Sequence, residues 1–93
     1  MKVSNLKSSN GNKVANQFIL EDDAANDFFQ SYDSIIVKRE YESGKIFLDE
    51  RYWDYSRTTS KYRNIFLHED TAATKDKIKS GEYILTNLNW LIL

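Results

Sequence analysis

From Lys13 onward, large apolar residues recur at every second position in short runs, which is the spacing of strands buried on one side. Over residues 13–21, Val14, Asn16, Phe18 and Leu20 share one face, with Ile19 opposite. An acidic break at 21–26 precedes a second run, Asp27–Tyr32, where Phe28, Gln30 and Tyr32 alternate with Phe29 and Ser31. Asp33 and Ser34 mark a tight turn before Ile35–Tyr41, the most β-branched segment. Its pattern sets Ile35, Val37 and Tyr41 against Ile36, Lys38 and Glu40. Glu42-Ser43-Gly44 supplies another hairpin, and Lys45–Asp49 returns with Ile46 and Leu48 inward. Links this short join antiparallel strands, so a meander is expected.

The period then lengthens. Tyr62, Ile65 and Phe66 fall at i, i+3 and i+4, one side of a short helix that Thr59 or Ser60 would cap. A second helix is expected over 72–80, capped by Asp70 or Thr71 and stopped by Gly81, with Ile78 its only large apolar anchor. A last strand is expected over Glu82–Leu88, ahead of the apolar tail Trp90-Leu91-Ile92-Leu93. The predicted architecture is α+β: an antiparallel sheet of about five strands with one or two short helices on one face. Residues 1–12, rich in Ser, Asn and Gly, are expected to be a flexible lead-in to a single domain over 13–93.

The totals narrow the chemistry. With 41% hydrophobic and 29% charged residues in 93, the composition is that of one globular domain. The formal charge is −1, so nucleic acid is not attracted by the molecule as a whole, and only a local patch would serve. Cysteine is absent, which removes disulfides, thiolate nucleophiles and cysteine-ligated zinc. No apolar block succeeds the opening MKVSNLKSSNGNK, and no run approaches the roughly 18 apolar residues of a membrane span, so a cytoplasmic protein with no membrane partner is expected.

One stretch concentrates unlike groups. LDERYWDYSRTTSKYRNIFL, residues 48–67, sets Tyr52, Trp53, Tyr55, Tyr62 and Phe66 among Arg51, Arg57, Lys61 and Arg63. From Arg51 to Arg63 there are four cations and one acid, Asp54, a local charge of +3. Rings and guanidinium groups together suit a partner-binding face, and Arg51, Tyr52, Arg57, Lys61, Tyr62 and Arg63 are its expected members. The competing expectation is that Trp53, Tyr55 and Phe66 fill the core of a small domain while the charges are solvated. Ser56–Ser60 has the hydroxyls to cradle a phosphate but no glycine of a phosphate loop, and fits a helix cap better. His68-Glu69-Asp70 is the only histidine-acid cluster, and without a second histidine or a cysteine it predicts a surface role rather than a metal centre. Glu21-Asp22-Asp23 with Asp27 lacks the glycine and distal glutamate of a calcium loop and fits a solvated turn. No catalytic residue, cofactor or metal is expected. Apolar Trp90–Leu93 needs cover, from the chain itself, from a second copy in a homodimer, or from a foreign partner.

The segments NGNKVANQFIL (10–20), FFQSYDSIIV (28–37), 48–67 and KIKSGEYILTNLN (77–89) resemble, in this order, small uncharacterised phage and prophage proteins of a domain-of-unknown-function family. The chain departs from that pattern at His68, where a glycine is expected, and in running on through Trp90–Leu93. The resemblance implies no catalytic residue. It implies an accessory protein in the cytoplasm of a host bacterium that inhibits or modulates a host protein, for example a CRISPR effector. Single-stranded nucleic-acid binding through the same residues and a structural homodimer are the other expectations.

Overall fold

A computed structural model describes residues 1–89 of the chain. Six strands and two helices succeed one another among these residues: β1 (Lys2–Lys7), β2 (Lys13–Glu21), β3 (Asp27–Ser31), β4 (Ser34–Arg39), β5 (Ile46–Asp49), α1 (Arg57–Leu67), α2 (Thr71–Ser80) and β6 (Tyr83–Thr86). The strands form a single sheet in sequence order, β1-β2-β3-β4-β5-β6. All neighbours are antiparallel except β5 and β6, which run parallel. A parallel return cannot be made by a hairpin, so the two helices serve as its crossover. The fold is therefore α+β, as the hydrophobic pattern predicts.

Residues 1–12 are not the flexible lead-in expected from their polarity. Lys2–Lys7 is an edge strand paired with β2, and its Leu6 is buried in the core. The ladder, rather than local apolar content, holds it: only one side chain of the strand is buried.

The helix-facing side of the sheet is the core. Phe29, Val37 and Leu48 are fully buried, one from each of three adjacent strands and in register with one another. Phe66 of α1 lies over Phe29 with ring centroids 5.9 Å apart, and Leu67, Tyr83 and Leu6 complete the cluster. Ile78 packs against it from α2. The strict alternation expected in Ile35–Tyr41 is broken by a bulge: Phe29 pairs with Val37 but Gln30 pairs with Ile35, so Ile36 is the extra residue. As a result Ile36 and Val37 are both buried.

The other side of the sheet carries a row that crosses all six strands: Val3, Leu20, Phe28, Lys38, Phe47 and Ile84, each in register with the next. None of these residues belongs to the core cluster or packs against it. Lys38 lies 5.8 Å from the Phe47 ring centre and pairs with Glu40 at 3.3 Å.

Candidate binding cleft

The ring-and-cation stretch begins where β5 ends, and Asp49 shapes the turn beyond that strand. Its side chain is buried and accepts four N–H bonds: from the Arg51 and Tyr52 amides (3.0 and 2.9 Å), the Leu88 amide (2.8 Å) and Asn89 Nδ2 (2.9 Å). Asn89 also brackets Ile35 of β4, accepting from its amide at 2.8 Å and donating to its carbonyl at 3.0 Å. One carboxylate thus ties the 50–55 turn and the 87–89 segment to the end of the sheet.

α1 starts earlier than the periodicity suggests. Ser56 is the N-cap, accepting from the Thr59 amide at 3.1 Å, so Arg57 occupies the first helical position. No acidic residue stands in the first turn. Arg57 and Lys61, four apart, lie on one exposed face of the helix.

Arg63, expected on the binding face, is instead buried, with 0% of its surface exposed. Nη1 donates to the Trp53 carbonyl, and Nη2 donates to Asn64 Oδ1 and Thr71 Oγ1, both at 2.9 Å. The guanidinium also sits 5.2 Å from the Trp53 ring centre. Burial pushes it below its ordinary value, and Asp54, 3.5 Å away, opposes that shift. The reason is positional: Thr59, Arg63, Phe66 and Leu67 form the inward side of α1, and the guanidinium supplies donors that the Trp53 turn and the start of α2 require. Arg63 is therefore a structural residue. Tyr62 and Tyr52 are half-buried and pack against the core, and Lys61 lies 5.3 Å from the Tyr62 ring centre.

Tyr55 departs from its expected role in the opposite sense. It is 69% exposed and meets Tyr52 edge to face, with centroids 5.4 Å apart. Beside them stands Tyr32, 57% exposed, in the β3–β4 turn at φ 56°, a left-handed backbone unusual for a tyrosine. These residues enclose a cleft of about 360 Å³ lined by Tyr32, Asp33, Ser34, Tyr52, Tyr55 and Ser56, with Ser31, Ile36 and Thr59 at its floor. The Ser31 and Thr59 hydroxyls share a 3.1 Å hydrogen bond there. The 31–34 segment was absent from the expected site. Its signal was topological: β3 and β5 run the same way on either side of β4, so the turn after β3 and the loop after β5 must meet at one end of the sheet.

The remaining candidates are structural. His68 takes the C-cap of α1 at φ 58°, the left-handed position that a glycine would fill. Glu69 is nearly buried and accepts from Lys77 Nζ (2.7 Å), Thr74 Oγ1 (2.6 Å) and Tyr83 Oη (2.8 Å). Burial raises its carboxyl, but these three donors outweigh it and hold the group below its ordinary value. Lys77 is pushed up to about 12 by the same bond. Asp22 closes the acidic turn through the Ala24 and Asn26 amides, each at 2.9 Å, and Asp27 pairs with Arg39 at 3.0 Å. Among the described residues no three His, Asp or Glu side chains converge as a metal site would need, and no helix is long and apolar enough to cross a membrane. The expected oligomer contact at Trp90, Leu91, Ile92 and Leu93 lies outside the described residues.

No curated protein and no solved structure matches the chain significantly. A family model does, over residues 1–82, a span that includes β1 and both helices. The chain belongs to that family, a family of unknown function (DUF8033).

Proposed function

We propose that this chain is a non-catalytic binding protein of the phage accessory type, which docks on a host protein in the bacterial cytoplasm and inhibits or modulates it, a CRISPR effector being one such target. The supporting observation is the exposed group at one end of the sheet. Tyr32 and Tyr55 are exposed and line one cleft, Arg51, Arg57 and Lys61 are exposed along the same 51–61 stretch as Tyr55, and among the described residues none of these three cations has a carboxylate within ion-pair distance. Exposed tyrosine and arginine in one short stretch is the composition of interface anchors.

Charge favours protein over single-stranded nucleic acid as the occupant. With Arg63 buried, residues 51–61 keep three cations against Asp54, and Asp33 lines the cleft itself. A phosphate chain would meet these two carboxylates without the fourth cation. The test is capture from host lysate by the wild type and by the double variant Arg57→Ala, Lys61→Ala. Loss of one specific protein with an unchanged melting temperature is the expected result. Capture that is unchanged, or that collapses steeply with added salt and is replaced by oligonucleotide binding, would overturn the reading.

A homodimer is the second reading, favoured by the row on the sheet face away from the core, apolar except for Lys38. Sheet faces of this kind pack on one another in sandwiches. If they do so here, sedimentation shows a dimer that Phe28→Ser dissociates. A monomer at every concentration removes this reading.

A further inference from the structure

We propose that the cleft between the β3–β4 turn and the 50–56 loop is the seat of an arginine side chain presented by the partner; this rests on the docking reading above and specifies its chemistry. The chain's own cations already occupy other rings. Lys38, Arg39, Lys61, Arg63 and Lys77 lie 4.4–5.8 Å from the ring centres of Phe47, Phe66, Tyr62, Trp53 and Tyr83. Among the described residues no lysine or arginine lies over Tyr32, Tyr52 or Tyr55, although all three line one cleft. Aromatic faces gathered around a concavity attract a cation through their quadrupoles.

A carboxylate points the same way. Asp33 lines the same cleft, and among the described residues no cation pairs with it and its carboxylate accepts one hydrogen bond, a long 3.5 Å contact from Ser34 Oγ. A ligand that places positive charge against the rings satisfies Asp33 as well. The floor adds acceptors. Ser31, Ser56 and Thr59 hydroxyls are linked to one another at 3.1 Å and retain lone pairs for further donors. A guanidinium brings five N–H donors and a flat face that stacks on the rings, so it engages rings, carboxylate and hydroxyls at once, where a lysine ammonium has three donors and no face to stack. The volume of about 360 Å³ lies within the range that small ligands and anchoring side chains fill.

The test is a titration of the full chain, monitored by proton–nitrogen amide spectra, with the blocked peptide acetyl-Gly-Arg-Gly-amide. The matching citrulline peptide, which keeps the shape and loses the charge, is the control. The arginine peptide is expected to shift the amides of Tyr32, Asp33, Tyr55 and Thr59 with millimolar affinity, and the citrulline peptide is expected to leave them in place. Asp33→Asn and, separately, Tyr55→Ala are each expected to weaken the arginine peptide about tenfold while the rest of the spectrum is retained. Equal shifts with citrulline, no shifts in the cleft, or shifts produced by oligothymidylate instead would each overturn the proposal. The double variant Arg57→Ala, Lys61→Ala should still bind the arginine peptide. A wild-type chain that binds the arginine peptide but captures no host protein would sink the docking reading alone, and a wild-type chain that captures a host protein but does not bind the peptide would sink the arginine seat alone.

Discussion

Replacing Arg63 with alanine separates the structural cations of this chain from the free ones. In the native protein the guanidinium makes three short charge-assisted hydrogen bonds to neutral acceptors, the Trp53 carbonyl, Asn64 Oδ1 and Thr71 Oγ1, and a longer one of 3.4 Å to Ser60 Oγ. At about 1.5–3 kcal/mol each they sum to several kcal/mol gross. Asp54 adds little, being 3.5 Å away with its side chain 41% exposed. Against this stands the cost of removing the guanidinium from water, also several kcal/mol, which the alanine variant no longer carries. Among the described residues its Nε has no partner even in the native protein. Truncation also leaves acceptors unpaired and removes the group lying against Trp53. The net expectation is a loss of about 3 kcal/mol, within the range for breaking a buried charged network. At roughly 4–8 °C per kcal/mol for a domain of this size, the melting temperature falls by about 12–24 °C. Urea unfolding monitored by circular dichroism should show a lower midpoint at an unchanged slope. Arg63→Lys, which keeps the charge and loses the fork, should fall between the two. An Arg63→Ala protein with the wild-type midpoint would refute the assignment and return Arg63 to the binding face.

Asp49→Ala should cost about 3 kcal/mol, since it orphans the N–H groups of Arg51, Tyr52 and Leu88, and hydrogen exchange at those amides should accelerate together. His68→Gly should stabilise by about 0.5–1 kcal/mol, because a left-handed residue with a Cβ is replaced by one without, and a thermal melt reads the gain directly. Glu69 gives a pH dependence. Its folded carboxyl lies below 4.5, so its contribution is present above 4.5 and is lost as the pH falls through the folded value. Urea midpoints should therefore fall less on acidification in Glu69→Gln than in the wild type, while the lowered Asp22 and Glu40 contribute the same slope to both proteins.

The sheet was legible because its strands obey a period of two and its turns carry the expected residues. Asp70 and Gly81 bound α2 as their chemistry predicts. What the pattern missed was decided by pairing. β1 is a strand because β2 offers it a ladder, and Ile36 faces the core because a bulge shifts the register. Long charged side chains were the least legible part. Arg57, Lys61 and Arg63 look alike in sequence, yet the helix turns the first two outward and the third into the core. The cleft needed residues from two turns some twenty positions apart, so the density of rings in 48–67 found only half of it.

The division of labour between these cations is tested most directly by measuring stability and partner capture on the same two proteins. For Arg57→Ala with Lys61→Ala, the expected result is a wild-type urea midpoint with capture lost. For Arg63→Ala it is a lowered midpoint. A double variant that still captures the wild-type partner would contradict the account, because the exposed cations would then be gripping nothing.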